Sequence, residues 1–205
     1  MNTKTAPSIP AASARERLLA AARVVFARDG LPGATTRAIA KEAEVNEVTL
    51  FRLFQNKDRL LAEVMESIVD EQHAAAVGDE AAWSGNLKTN LRRYADSFYA
   101  MLVRDEPLIR TMIGEARRYP AQAKQIIMDA VKPERTRFIA NLEAARKAGQ
   151  MRRGVDLAIA ADAFTGMLLA GMLRDTAECV EGYEAQEYVA TCVSLFAAGL
   201  AAPAA

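Results

Sequence analysis

Chemistry-bearing side chains are scarce in this chain. Its 205 residues include one histidine, His73, and two cysteines, Cys179 and Cys192. The cysteines lie thirteen positions apart with no CxxC pair. That supports neither a zinc site nor a disulfide framework, and two buried thiols in a reducing compartment are expected instead. With a single histidine, no nucleophile paired with a base and no glycine-rich phosphate loop, nothing supports an enzyme. Net charge is missing too, because 26 Lys and Arg balance 26 Asp and Glu. The most apolar stretch, Leu157 to Leu173, is interrupted by Asp162 and flanked by Asp156 and Arg174, so it reads as a buried helix rather than a membrane span. No basic-then-apolar leader opens the sequence, and a cytoplasmic location without a membrane partner is expected.

What is present is an ordinary globular composition, 51% hydrophobic and 25% charged, in a chain long enough to bury a substantial core in one or two domains. The zero net charge hides an asymmetry. Residues 1–65 carry ten Lys or Arg against seven Asp or Glu, and residues 66–205 carry sixteen against nineteen, giving +3 and −3. A mildly basic head on a mildly acidic body suits a protein that touches nucleic acid with one end only. Residues 1–12 are rich in Thr, Ser, Pro and Ala and have little to bury, so a disordered arm is expected there.

Apolar spacing predicts helices throughout, with no strand pattern. The first runs from about Ser13, a capping residue, to Asp29, turns Leu18, Leu19, Ala22, Val25 and Phe26 inward, and ends at Gly30. Thr35 or Thr36 caps a second that buries Ile39, Ala40 and Ala43, and Val45 tucks under the turn that follows. Asn46 caps a third, with Leu50, Leu53 and Phe54 on its inner side. Its outward residues, Glu47, Val48, Thr49, Phe51 and Arg52, mix acceptor, methyl, hydroxyl and guanidinium, which suits a major groove. Asn56, Lys57 and Asp58 open a fourth helix that carries Leu60, Leu61, Val64, Met65 and Ile68 and continues to about His73. Lys57 is placed to hold a phosphate.

Two short helices around a turn, followed by a third, have the layout of a helix-turn-helix, although three packed helices of any all-α core share it. The order of residue types narrows the choice. From Leu18 to Met65, through Phe26, Gly30, Thr35, Thr36, Ile39, Ala40, Val45, Thr49, Leu50, Phe51, Phe54, Asn56 and Lys57, the chain resembles the N-terminal domain of the TetR family of transcriptional regulators. In that reading Arg37 bonds guanine, Glu47 accepts from cytosine N4, and Val48 and Phe51 meet thymine methyls. Arg52 reads a base or clamps a phosphate, Thr35, Thr36, Thr49 and Lys57 fix position on phosphates, and Asn46 begins the segment that faces the DNA. Three residues depart from the pattern. Glu44 stands where the family often has Gly, with a steric cost if the turn needs a positive φ. Phe51 replaces Tyr and lacks a hydroxyl for phosphate, and Leu53 replaces a frequent His.

The remainder divides into a break at Gly78 to Gly85 containing Trp83, a helix bearing Leu87, Leu91, Tyr94, Ala95, Phe98, Met101 and Leu102, and a short helix from Pro107 to about Arg118. Pro120 to Ala148 follows, with Pro133 expected to kink or split it, and Gly149 ends it. The last two helices, Asp156 to Cys179 and Glu184 to Leu200, are apolar over more than one core stripe. The expected fold is therefore all-α with about nine helices. It comprises the arm, a three-helix DNA-binding head over 13–60 and a ligand-binding and dimerisation body over 61–205.

The resemblance implies that the last two helices pair with their copies in a two-fold four-helix bundle. The small residues Ala163, Gly166, Ala170, Gly171, Ala197, Ala198 and Gly199 allow close approach there. It also implies a pocket enclosed by helices over about 87–148. Candidate lining residues are Trp83, Tyr94, Phe98, Met101, Met112, Met128, Phe138, Phe164 and Met167, with Glu115 and Arg118 as polar anchors, although such spacing also fits plain core. Met65, Ile68 and Val69 are where the fourth helix would couple pocket to head. The expected function is a homodimeric repressor of a palindromic operator, released by a small apolar effector and using no cofactor or metal. The alternative is an all-helical protein-interaction module that has lost specific DNA binding, for which Glu47, Phe51 and Leu53 leave room.

Overall fold

The computed structural model describes residues 12–76, 83, 85–118, 120–175 and 183–202, without the side chains of residues 73, 75, 76, 115–118 and 120–130. The expected arm, the break after Gly78, the His73 side chain and Cys179 lie outside the described residues, apart from residue 12 and the end of that break. Nine helices and no strand occur among the described residues. The chain forms two compact units, one ending at Val64 and the other starting at Met65.

In the first unit, short polar side chains define each helix end. Helix α1 (Ala14–Gly33) begins at Ser13, whose Oγ accepts from the Glu16 amide at 3.2 Å while the Glu16 carboxylate accepts from the Ser13 amide at 2.7 Å. The reciprocal pair satisfies two donors that a helix start otherwise leaves open. These bonds also hold the Glu16 carboxyl below the usual carboxylate range. Gly30, at φ +70°, breaks the helical path just before Pro32. Helices α2 (Thr36–Glu42) and α3 (Glu47–Phe54) are capped by Thr35 and Asn46. Asn56 Oδ1 accepts from the Arg59 amide at 2.8 Å at the start of α4 (Lys57–Ala76).

Helices α1, α2 and α3 pack on one another. Their shared core is Leu18, Val25, Phe26, Ile39, Leu50 and Phe54, all fully buried. Leu19, Val45 and Leu53, expected inside, are only half-buried. Arg15 lies over the Phe54 ring, 5.0 Å from its centroid, and pairs with Glu63 of α4.

The second unit holds the rest of α4 with α5 (Leu87–Arg104), α6 (Glu106–Arg118), α7 (Pro120–Lys147), α8 (Leu157–Asp175) and α9 (Ala185–Leu200). Helix α5 packs on α8 and α9, α8 packs on α7 and α9, and α6 packs on α7. A file of rings runs through the middle. Phe138 stacks on Tyr94 at 4.1 Å and lies 5.9 Å from Phe164, which in turn sits 4.5 Å from Phe196. Tyr99 is also buried, whereas Phe98 is half-buried.

Pro133 does not divide its helix. Helix α7 is one element, and the proline lies on its exposed side, where water can meet a carbonyl deprived of its amide donor. Gly149, at φ +75°, ends α7, with the Gln150 amide donating to the Ala145 carbonyl at 3.0 Å. Helix α8 is long and apolar enough to cross a membrane. Here it contributes Leu157, Ala160, Ala161, Phe164, Leu168 and Met172 to the core of its unit.

Candidate nucleic-acid interface and ligand cavity

The outer face of α3 carries the side chains that could meet base edges. Val48 and Phe51 are 72% and 47% exposed, and Arg52 is exposed as well. Arg37, in the first turn of α2, is likewise exposed. Glu47 and Thr49 are half-buried instead of fully outward. The cause at Glu47 is a 2.6 Å hydrogen bond that the Thr36 hydroxyl donates to its Oε1, tying the first turn of α2 to that of α3. One carboxylate oxygen is thereby engaged.

Several expected phosphate contacts serve the fold first. The Thr35 hydroxyl accepts from the Ala38 amide at 3.0 Å, and Asn46 Oδ1 accepts from the Val48 amide at 2.8 Å. Lys57 is half-buried and donates to the Leu31 carbonyl at 2.6 Å. A lysine has three donors, so this bond positions the ammonium and still leaves two N–H groups. The turn between α2 and α3 holds Glu44 at φ +52°, the conformation that favours glycine. Gln55, between α3 and α4, has φ +67°, which no feature of the sequence announced.

The second unit contains a cavity of about 410 Å³. Of the expected lining residues, Tyr94, Phe98, Met101, Met112 and Phe138 form its wall, as do Met65, Ile68 and Val69 from α4. Trp83 is not part of it and packs edge-on against Phe138, with 5.9 Å between ring centroids. Phe164 and Met167 are not in the wall either. On α8 the cavity takes the face of Ala161, Asp162, Thr165, Gly166 and Leu169, and Phe164 and Met167 fall out of that helical phase. Phe164 is fully buried between Phe138 and Phe196. The Glu115, Arg118 and Met128 side chains lie outside the described residues.

Sequence reasoning missed Gln72, Leu102, Ile109, Ile113, Val131, Glu134 and Arg135 as lining residues. A polar residue within an otherwise apolar face, as at Gln72 and Glu134, was the available signal. Arg135 donates to both carboxylate oxygens of Asp162, at 2.6 and 2.8 Å, and holds that carboxyl below its usual range. Glu134 is buried and accepts from Arg137 at 3.1 Å. Burial, followed by the negative charge of Glu134, raises the Tyr94 hydroxyl well above its usual value, so it stays a neutral phenol. No cluster suited to a metal ion occurs among the described residues.

A second apolar strip, which shares Gly166 with the cavity face, lies on α8 and α9. Ile159 and Leu195 are 68% and 65% exposed, and Ala163, Gly166, Ala170, Ala198 and Gly199 are exposed beside them. Gly171 does not belong to this strip. A Cβ there would stand 2.2 Å from the Tyr188 ring, so the missing side chain serves packing between α8 and α9 of one subunit. Ala197 is half-buried.

Residues 18–64 match the family model described as bacterial regulatory proteins, tetR family, and residues 82–191 match the one described as Tetracyclin repressor-like, C-terminal domain. The HTH-type transcriptional regulator YvkB of Bacillus subtilis strain 168 is 27% identical over 124 residues, 57% of this chain and 65% of that protein. The HTH-type nicotine-responsive transcriptional repressor HdnoR of Paenarthrobacter nicotinovorans is 32% identical over 96 residues, 45% of this chain and 47% of that one. The matches thus span less than two thirds of either relative. The fold is also that of the regulator FadR from Bacillus subtilis, solved in complex with stearoyl-CoA, with a TM-score of 0.72, 19% identity and coverage of 90% of this chain and 98% of that one.

Proposed function

The chain belongs to the TetR family of bacterial regulatory proteins, and on that premise we propose that it is a homodimeric repressor that holds a palindromic operator and releases it when a small, largely apolar molecule occupies the cavity. The observation that carries this reading is the α3 face, where Val48, Phe51 and Arg52 stand exposed on a helix held in place by Asn46 and by the Thr36–Glu47 bond. Side chains of this kind on a short helix suit base edges. Arg37 and Arg52 supply cations for guanine or phosphate, and Thr35, Thr49 and Lys57 orient the unit on the backbone.

One head spans only a few base pairs, so specific binding calls for two. Heads spaced by about 34–36 Å, or a multiple of it, read a palindrome. The exposed strip of Ile159, Ala163, Gly166, Ala170, Leu195 and Ala198 favours a self-complementary pairing of α8 and α9, since small residues let helices approach and two-fold dimers are the commonest assembly. Release requires an effector that prefers the conformation unable to bind the operator. Met65, Ile68 and Val69 line the cavity and lie on α4, whose first residues belong to the head, which makes α4 the element through which occupancy would act. The apolar wall agrees with the acyl-CoA that FadR holds and with the nicotine to which HdnoR responds.

The test is a gel shift with the selected operator and with single-base variants of it. Glu47→Ala should relax preference at one base pair of each half-site, by about 1–3 kcal/mol of discrimination. An unchanged preferred sequence would show that α3 does not sit in the groove as proposed.

A further inference from the structure

We propose that the effector presents an uncharged hydrogen-bond acceptor, of the carbonyl class, to the side-chain amide of Gln72. The inference deepens the proposed function and rests on the cavity being the effector site. Gln72 is only 2% exposed and stands in the cavity wall, one turn of α4 beyond Ile68 and Val69. Its Nε2 has no hydrogen-bond partner among the described residues. Buried amide donors are nearly always bonded, because an unmet one forfeits its hydration without return. Gln72 lines the cavity while its Nε2 is closed off from water, so a ligand atom that reaches it supplies the bond the protein leaves unmade.

The root of the side chain is held in place. The Ser97 hydroxyl donates to the Gln72 carbonyl at 3.2 Å, and the neighbouring Glu71 pairs with Arg104 at 3.0 Å, so both bonds tie this turn of α4 to α5. Tyr94 stacks on Phe98 and Phe138, at 5.7 and 4.1 Å, and the three rings give the wall an aromatic section for the body of the ligand. The charged groups of the wall favour a neutral head. Arg135 is engaged by both oxygens of Asp162, and Glu134 accepts from Arg137. An anion would have to displace Asp162, and a cation would have to compete with Arg137, whereas a carbonyl oxygen meets a donor already in want of one. The bond it makes is to α4 itself.

The experiment is calorimetric titration of the full-length protein with benzophenone and with diphenylmethane, which share a two-ring skeleton and differ in a carbonyl for a methylene. The wild type should bind benzophenone about tenfold tighter. Gln72→Met keeps the length of the side chain without the donor and should bring the ratio close to one, while diphenylmethane binds at least as well as to the wild type. Gln72→Leu should repeat that result. Both unliganded variants should melt no lower than the wild type, because each removes an unmet buried donor. Equal affinity of the wild type for the two compounds, or a tenfold preference that survives in Gln72→Met, overturns the assignment of Gln72 and leaves the cavity as the effector site. A marked loss of melting temperature in both variants overturns it too, since the amide would then be satisfied in the empty protein. No binding of either compound by the wild type overturns both the assignment and the reading of the cavity beneath it.

Discussion

In the first unit, short polar side chains are bonded to backbone groups a few residues away, while in the second the telling polar groups lie along an apolar wall built from five helices. Ser13, Thr35, Asn46 and Asn56 each close a helix start. Such bonds are local, so they fix where each helix begins and which face of α3 points outward. The second unit has such caps too, at Asn86 and Asp156, but the faces its helices turn to one another are set by long-range packing, through the Tyr94, Phe138, Phe164 and Phe196 rings and the contact of Gly171 with Tyr188. The comparison teaches that a reading head can be specified by capping chemistry, whereas an adaptable cavity depends on the phase of several helices at once.

The sharpest way to break this comparison is to remove a ring from the second unit. Phe138→Ala should lower stability by about 3–5 kcal/mol, because it deletes a fully buried ring that Tyr94, Phe164 and Trp83 all touch. Chemical denaturation followed by circular dichroism gives the value, and a loss below about 1 kcal/mol would mean that the file of rings is not a packed core. Next in size is Gly171→Ala. The added methyl meets the Tyr188 ring, and that ring is pinned because its hydroxyl donates to the Met167 carbonyl at 2.8 Å and accepts from Arg174 at 2.8 Å. A loss of about 1–3 kcal/mol is expected, against the gain an alanine normally brings to a helix. Gly114→Ala on α6, with nothing within 4 Å of the new atom, is the matched control.

Two smaller effects probe the first unit. Asn46→Ala should cost about 1 kcal/mol by leaving the Val48 amide without its cap. Glu44→Gly should raise stability by about 1 kcal/mol, since a residue at φ +52° carries a steric penalty that glycine avoids. Opposite shifts in melting temperature from two changes within the same turn region would sharpen the claim that local backbone chemistry shapes the head.

The order of helices and most of the head were legible because their signals are local. Ser13 with Glu16, Asn46 before an apolar step of four, and Gly30 and Gly149 at helix ends each act within a single turn of chain. The body was legible in outline only. Tyr94, Phe98, Met101, Met112 and Phe138 were identified as cavity residues, but Phe164 and Met167 fall on another face of α8, and Trp83 packs edge-on against Phe138 without lining the cavity. Which face of an almost wholly apolar helix turns toward a cavity depends on its neighbours, and spacing along one helix cannot supply that. Gly171 illustrates the same limit. Smallness suggested an interface between copies, whereas the ring that needs the space lies in the same subunit.

The most direct test of the central claim is selection of bound duplexes from a random DNA pool, with the mass of the protein–DNA complex measured on the sequence that emerges. The account predicts an inverted repeat carrying two copies of the chain, with half-site centres one helical turn apart or a multiple of it. A single unrepeated site bound by one copy, or no enrichment at all, would contradict it.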